Sequence, residues 1–249
     1  MLLTIDVGNS NTVLIIYDED TVVFEKRLIT LKKDFGSYYK DNLTGLKHAI
    51  DAIIISCVVP VVLDVITEAC LDAFSIEPSI LSGESIQGLE IFLDNPLEIG
   101  ADFIATSIGA STKYDAPLIV ADIGSATKLT LTETGRRFMG GVILPGLGTS
   151  VRSLTEFIPH LPEVGLQVPE KVVGDSTIGA IQAGIMYGLI AQIEGIAERM
   201  ERERGIKCVK ILTGGYARLI KDYLPDFIYD DTLLNDGLHT IYKERLLKK

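Results

Sequence analysis

The sequence has no tryptophan and no long apolar run, since polar residues interrupt its hydrophobic stretches. None of these stretches approaches the roughly 18 uninterrupted apolar residues of a membrane-spanning helix. No basic segment followed by an apolar run marks a secretory signal peptide, because the first apolar run stops at Asp6. We therefore expect a cytoplasmic protein with no membrane partner.

Cysteine is also scarce. Cys57, Cys70 and Cys208 are scattered among apolar neighbours, without C-x-x-C spacing or nearby histidines. This pattern disfavours a disulfide framework and a zinc site. We predict three reduced thiols in the core, where cysteine behaves as a small hydrophobic residue.

Basic residues are also few: the chain has 23 Lys and Arg and 34 Asp and Glu, which gives a net charge of −11 at pH 7. A nucleic-acid partner needs clustered Lys and Arg to neutralise its phosphates. The densest basic cluster, residues 199–210, alternates with glutamates in a manner typical of a solvated helix face. We expect no nucleic-acid partner.

The chain is long enough for one large domain or for two of about 120 residues each. The stretch LLTIDVGNSNTVLIIYD, residues 2–18, predicts a strand, a polar turn and a second strand, and residues 22–30 predict a third. Residues 116–143 repeat this order. The repeat predicts two similar domains, 1–115 and 116–249, that face each other. With an offset of 116, Asp6 corresponds to Asp122, Gly8 to Gly124 and Asn9 to Ser125.

The rest of the sequence alternates strand-like and helix-like segments. Residues 51–60 and 207–215 are apolar, β-branched strand candidates that end in turns. Helical patterns cover residues 61–74, 100–112 and 177–205. This alternation predicts an α/β fold in which each half begins with antiparallel hairpins.

The two Asp-x-Gly turns carry the chemistry of the sequence. Polar residues after Gly8 can direct backbone N–H groups and side-chain donors at phosphate oxygens. The carboxylate of Asp6 would repel a bare phosphate, so its presence favours a cation between them. The alternative is a pair of ordinary hairpin turns. Neither G-x-x-x-x-G-K-[ST] nor G-x-G-x-x-G occurs, which disfavours a P-loop or a dinucleotide fold.

A glycine pair follows the strand candidate near the end of the chain, in LTGGYARL, residues 212–219. Without side chains at Gly214 and Gly215, a base or ribose could lie against the backbone. The alternative is a strand-to-helix turn that needs tight packing. The two Asp-x-Gly turns favour the nucleotide interpretation.

Six segments in order resemble the type III pantothenate kinases, within the superfamily of acetate and sugar kinases, heat-shock proteins and actin. They are DVGNSNT, NPLEIGAD, DIGSAT, GGVILPGL, GDST and LTGG. The resemblance covers nearly the whole chain. It implies two RNase H-like domains of the actin-like ATPase fold, with an ATP cleft between them.

The resemblance also implies an activity: ATP-dependent phosphorylation of pantothenate to 4′-phosphopantothenate, the first committed step of coenzyme A synthesis. Asp102 would be the general base, Asp6 would hold Mg²⁺ through water, and Asp122 would bind a monovalent cation, K⁺ or NH₄⁺. A homodimer is implied as well. The implied ATP contacts are Asp6, Val7, Gly8, Asn9, Ser10, Asn11, Thr12, Val13, Ser125, Gly214 and Gly215, and the implied substrate contacts are Gly100, Ala101, Asp102, Phe103 and Thr177.

Three residues depart from the family pattern. Phe103 stands where an arginine is usual and cannot pair with a carboxylate. Leu93 replaces a common tyrosine, and Lys128 replaces a threonine. Two alternatives therefore stay open: a related kinase for another hydroxyl compound, and a non-catalytic nucleotide-binding homologue. Asp102 itself could merely stabilise a helix dipole, by about 0.3–1 kcal/mol.

Overall fold

The computed structural model describes residues 1–82 and 88–246. The chain divides into two compact units, and neither is a single continuous segment. The first comprises Met1–Leu89, Asp94–Thr112 and Leu233–Lys249, and the second comprises Glu90–Leu93 and Lys113–Thr232.

The first unit is built on a five-stranded mixed sheet of order β3-β2-β1-β4-β5. The first three strands form an antiparallel meander, and β4 and β5 add to it in the direction of β1. Strand β1 is central and almost fully buried, with Leu3, Ile5 and Val7 on one face and Leu2, Thr4 and the partly buried Asp6 on the other. The strands are β1 (Leu2–Val7), β2 (Asn11–Asp18), β3 (Thr21–Ile29), β4 (Ala52–Cys57) and β5 (Ser79–Ile80).

The second unit contains a six-stranded sheet of order β11-β10-β7-β8-β9-β6. Five of these strands repeat the order of the first sheet, and β6 adds an edge beside β9. The predicted internal repeat is thereby confirmed in the strand order and directions. The strands are β6 (Glu90–Ile91), β7 (Leu118–Ile123), β8 (Ala126–Glu133), β9 (Arg137–Pro145), β10 (Val209–Thr213) and β11 (Phe227–Tyr229).

Six α-helices accompany the sheets in the part of the chain that the structure describes. The three predicted helical segments are confirmed as α2, α3 and α5, whereas α1, α4 and α6 were not predicted. The helices are α1 (Tyr38–Thr44), α2 (Pro60–Phe74), α3 (Ala101–Lys113), α4 (Leu147–Phe157), α5 (Thr177–Arg204) and α6 (Leu233–Leu246).

Helix α6 returns to the first sheet, although it follows the second unit in sequence. The Asn235 amide donates to the Thr4 hydroxyl at 2.9 Å, and both side chains are buried. The Tyr17 hydroxyl donates to Asp236 at 2.6 Å, and its ring stacks on His239. These contacts place α6 in the first unit, whereas the predicted division at residues 115 and 116 assigned it to the second domain.

Helix α5 is long and apolar enough to cross a membrane by length and composition alone. The core helix of a soluble protein passes the same test. Here Met186, Ile193 and Ala197 are buried in one apolar cluster with Ile119 and Leu129 of the second sheet. Packing within its own unit thus accounts for the buried face of α5.

Candidate active site

The first Asp-x-Gly turn joins β1 to β2 in the first unit. The Gly8 N–H donates to the Asn11 carbonyl at 3.0 Å and closes the turn. Asn9 and Ser10 form its exposed tip, and Asp6 lies partly buried near the end of β1. Because the Gly8 N–H is used within the turn, the tip residues are the ones placed to meet a ligand.

Three of the residues expected at the phosphates have buried side chains. Thr12 is fully buried and its hydroxyl bonds to that of Thr30 at 2.9 Å, while Val13 is only 7% exposed. Val7 is buried at the end of β1. Their positions indicate that they hold the turn in place through the pairing of β1, β2 and β3.

The structure adds a basic residue that the sequence motifs do not include. The exposed Lys32 ammonium donates to the Asn9 side-chain oxygen at 2.9 Å. The contact arises because β3 runs beside β2 and brings the residues after β3 back to the turn. A positive charge therefore accompanies the exposed tip, which otherwise offers only neutral groups and the carboxylate of Asp6.

Asp102 lies in the first turn of α3, in the same unit as Asp6. Its Oδ1 accepts a hydrogen bond from the Phe103 N–H at 2.9 Å. A Cβ at Gly100 would come within 2.5 Å of that oxygen, so glycine leaves room for the carboxylate. The side chains of Ala101, Asp102 and Phe103 are all partly exposed. A carboxylate in this position can accept a proton from a bound group.

In the second unit, the DIGS and LTGG turns meet. β7 and β10 are parallel and pair Asp122 with Thr213, so both turns leave the same edge of the sheet. Gly214 adopts φ +97°, and a Cβ there would lie 2.4 Å from Asp122 Oδ1 and 2.6 Å from the Ile123 nitrogen. Gly214 is therefore required by its backbone conformation and by this close approach.

The loop after β9 joins the same cluster. A Cβ at Gly146 would lie 2.4 Å from the Ser125 carbonyl oxygen, and the Thr149 hydroxyl donates to that oxygen at 3.2 Å. Ser125 itself is exposed, and Gly215 is exposed on the neighbouring turn. Three of the sequence motifs thus converge on one backbone-rich surface, which suits a flat or anionic ligand.

Asp122 has a basic partner across the hairpin. Lys128 lies directly opposite it in the β7–β8 ladder, and its Nζ is 2.8 Å from Asp122 Oδ2. Both side chains are mostly buried, at 15% and 19% exposure. The carboxylate expected to bind a monovalent cation is therefore already neutralised by an ammonium group of its own unit.

Comparison with known proteins decides the family to which these turns belong. A sequence model described as type III pantothenate kinase matches residues 2–199. The chain belongs to the type III pantothenate kinase family. The family's member from an Exiguobacterium species is 38% identical over 251 residues, covering 98% of each chain. The member from Halalkalibacterium halodurans is 37% identical, covering 99% of this chain and 100% of its own.

Solved structures identify the fold independently of the sequence family. Component A of (R)-2-hydroxyglutaryl-CoA dehydratase from Acidaminococcus fermentans superposes with a TM-score of 0.56, covering 97% of this chain and 98% of its own. Its 16% identity shows the fold alone. This is the actin-like ATPase fold, and the two sheets of the type III pantothenate kinase family member described here are its two RNase H-like units.

Two other family segments take defined positions in the second unit. Leu93 packs over the β9 backbone, where a Cβ at Gly140 would lie 3.3 Å from Leu93 Cδ2. Thr177 is the exposed first residue of α5, after Ser176, whose hydroxyl accepts from the Gly179 N–H at 3.1 Å. Gly174 lies against this helix start, since its Cβ would come within 2.3 Å of the Ala180 nitrogen.

The cysteines take no part in these turns as nucleophiles. All three are free thiols, and Cys70 is fully buried as predicted, whereas Cys57 and Cys208 are only partly buried. Burial raises the pKa of Cys70 to about 12 and that of Cys208 to about 11, and it also raises the pKa of Cys57. Neutral thiols are poor nucleophiles and poor metal ligands.

Within residues 1–82 and 88–246, no group of three or more His, Cys, Asp or Glu side chains is placed to hold a metal ion. A divalent ion at Asp6 would therefore take its other ligands from water and phosphate. That donor set fits Mg²⁺, which keeps several waters and commonly binds through one or two carboxylates plus substrate phosphates. It does not fit a structural zinc ion.

Proposed function

We propose that this chain transfers the γ-phosphoryl group of ATP to the hydroxyl group of pantothenate, giving ADP and 4′-phosphopantothenate in coenzyme A synthesis. The observation that carries the proposal is the family match over residues 2–199, which contains both Asp-x-Gly turns and Asp102. The relatives that align over nearly the full chain are named as type III pantothenate kinases, and this kinase family supports ATP as the phosphoryl donor.

The first turn is assigned to the phosphates. Asp6 would hold Mg²⁺ through water, and the ion would neutralise charge on the phosphate oxygens. The turn residues Gly8 to Asn11, with Asn9 and Ser10 at the exposed tip, would contact the phosphates, and Lys32 adds a second positive charge at Asn9. In phosphoryl transfer this positioning and charge neutralisation provide most of the catalysis.

Asp102 is assigned as the general base. Its carboxylate would accept the proton of the pantothenate hydroxyl as that oxygen forms a bond to the γ-phosphorus and the bond from phosphorus to the ADP oxygen breaks. The hydrogen bond from the Phe103 N–H orients the side chain through Oδ1.

The surface in the second unit is assigned to the nucleoside. Gly214 and Gly215 present backbone without side chains, and Ser125 would contact the phosphate chain. We assign Gly100, Ala101, Phe103 and Thr177 to pantothenate. Whether Asp122 takes K⁺ or NH₄⁺, as the resemblance implies, depends on its ion pair with Lys128.

Release of ADP tests the proposal directly. Purified protein with ATP and Mg²⁺ is expected to release ADP only when pantothenate is added, and mass spectrometry should find one phosphate on the product. Turnover with other hydroxyl compounds but not with pantothenate would favour a kinase of different specificity. Binding of ATP without turnover on any hydroxyl compound would favour a non-catalytic homologue.

We also propose a homodimer, on the strength of an open groove in the second unit. Helices α4 and α5 line the groove, and the small residues Ala180, Gly184 and Gly188 follow one another on α5 at intervals of four. A Cβ at Gly184 or Gly188 would meet no atom within 4 Å. Phe157, the last residue of α4, is 84% exposed, and Val173, in the segment before α5, is 83% exposed. Exposed apolar surface of this kind is typical of a protein interface, and a second copy is the partner that the family resemblance implies.

Replacing Gly184 with Glu is expected to halve the mass of the particle in sedimentation without unfolding it. The added side chain would fill the groove with a charge, yet it meets no atom of its own unit. Removal of a helical glycine should even stabilise the monomer by roughly 0.5–1 kcal/mol. Gly195→Glu, on α5 but outside the groove, is the control and should stay dimeric. An unchanged mass for Gly184→Glu would rule out this groove as the interface.

A further inference from the structure

The ion pair between Lys128 and Asp122 occupies the place where a free monovalent cation was expected. Lys128 faces Asp122 across the β7–β8 ladder, with Nζ and Oδ2 2.8 Å apart and both side chains mostly shielded from water. The single negative charge of the carboxylate therefore has a single positive charge beside it, supplied by the chain.

The remaining carboxylate oxygen faces backbone. A Cβ at Gly214 would lie 2.4 Å from Asp122 Oδ1, and a Cβ at Gly124 would lie 3.7 Å from the same oxygen. A K⁺ or NH₄⁺ ion bound at this carboxylate would have to lie close to the Lys128 ammonium, which would repel it. The residues present do not fit a free monovalent cation.

The hairpin does not need a lysine at this position. In the matching hairpin of the first unit, the residue opposite Asp6 is Val13, which is buried and apolar. The second turn is also one residue shorter, since Gly124 N–H bonds to the Ala126 carbonyl whereas Gly8 N–H bonds to that of Asn11. The shorter turn aligns Lys128, and not Leu129, with Asp122. The ammonium is thus placed at the carboxylate without being required to close the hairpin.

We infer that the Lys128 ammonium is a built-in monovalent cation, which supplies at Asp122 the charge that K⁺ or NH₄⁺ would otherwise supply to the ATP site. A lysine ammonium is a compact point charge with several N–H donors, as NH₄⁺ is. Because it is tethered, its effective concentration at Asp122 is high and does not depend on the medium. This inference rests on the proposed function, in which Asp122 belongs to the ATP site. The enzyme therefore needs no added monovalent cation.

The rate of pantothenate-dependent ADP release tests this with three proteins. Ionic strength is held with tetramethylammonium chloride, whose bulky cation is a poor substitute for K⁺, and KCl or NH₄Cl replaces it in parallel. Wild-type turnover is expected to be the same in all three salts. Lys128→Thr should lose about 10- to 100-fold in tetramethylammonium, as expected for removal of a charged hydrogen bond, and recover in KCl or NH₄Cl.

Lys128→Met is the matched control, because its long apolar side chain removes the charge but leaves little room for an ion. It should be slow in every salt. Stimulation of the wild type by K⁺ would overturn the inference, since Asp122 would then bind the ion with Lys128 in place. Equal activity of Lys128→Thr in all salts would overturn it too, since no charge would be needed there.

Thermal unfolding supplies a readout that does not depend on turnover. K⁺ or NH₄⁺ should raise the unfolding midpoint of Lys128→Thr above its value in tetramethylammonium, because an ion that binds only the folded state stabilises it. The wild type should show no such difference. If the wild type fails to phosphorylate pantothenate, the proposed function fails, and this comparison still decides whether Lys128 occupies the cation site. Equal responses of the two proteins would contradict the inference.

Discussion

Replacing Asp102 with Asn is expected to lower pantothenate-dependent turnover about 10²- to 10⁴-fold, the range of general-base catalysis. An amide cannot accept the proton of the attacking hydroxyl. Its oxygen can still accept the hydrogen bond from the Phe103 N–H that orients Asp102. The substitution should therefore leave ATP binding and the fold nearly unchanged. Steady-state kinetics will measure turnover, and a separate titration will measure ATP binding.

Asp41→Asn is the control for this experiment. Asp41 also lies in the first turn of a helix, α1, and accepts a hydrogen bond from the Ser37 hydroxyl, as Asp102 does from the Phe103 N–H, so each substitution removes the charge of a hydrogen-bonded acid at a helix N-terminus. Each should cost about 0.3–1 kcal/mol of stability, and only Asp102→Asn should lose turnover. Wild-type rates in Asp102→Asn would assign the proton to another group and leave Asp102 with the dipole role alone. Loss of ATP binding together with turnover would indicate a damaged fold.

Replacing Gly237 with Ala is expected to destabilise the first unit by about 3 kcal/mol, the upper part of the range for overpacked cores. A Cβ at Gly237 of α6 would lie 1.8 Å from the Ala105 carbonyl oxygen of α3 and 2.6 Å from its carbon. The obstacle is backbone, so the two helices must move apart. Gly109 of α3 is equally constrained, with Leu233 O at 2.2 Å from its Cβ position.

Gly195→Ala provides the comparison, because its Cβ would meet only the tip of the flexible Arg199 side chain, at 2.9 Å. It should be neutral or stabilise the protein by up to about 1 kcal/mol. Urea unfolding of both variants measures the difference. Since α3 carries Asp102 at its first turn, Gly237→Ala should also lower turnover at temperatures where the protein remains folded. Equal unfolding midpoints for the two variants would mean that α3 and α6 do not pack as described.

Much of the fold follows from local patterns in the sequence. The hairpins, the strands after residues 51 and 207, and helices α2, α3 and α5 have clear apolar periodicity and turn residues, and the structure confirms them. Helix α6 was not recognised because its residues include Asn235, Asp236 and His239, which look like a polar surface segment. Their partners, Thr4 and Tyr17, lie more than 200 residues earlier in the chain, and the Asn235 and His239 side chains are largely buried.

The candidate site, like the fold, could be predicted from the sequence only in part. The family, the duplicated Asp-x-Gly turns and Asp102 can be predicted from the amino-acid sequence, because short motifs of residue type and spacing carry this information. Tertiary structure decided that Thr12 is buried, that Lys32 reaches Asn9, and that Lys128 neutralises Asp122. These contacts depend on strand register, because a turn shorter by one residue changes which side chain faces a carboxylate, and an alignment by constant offset does not show this.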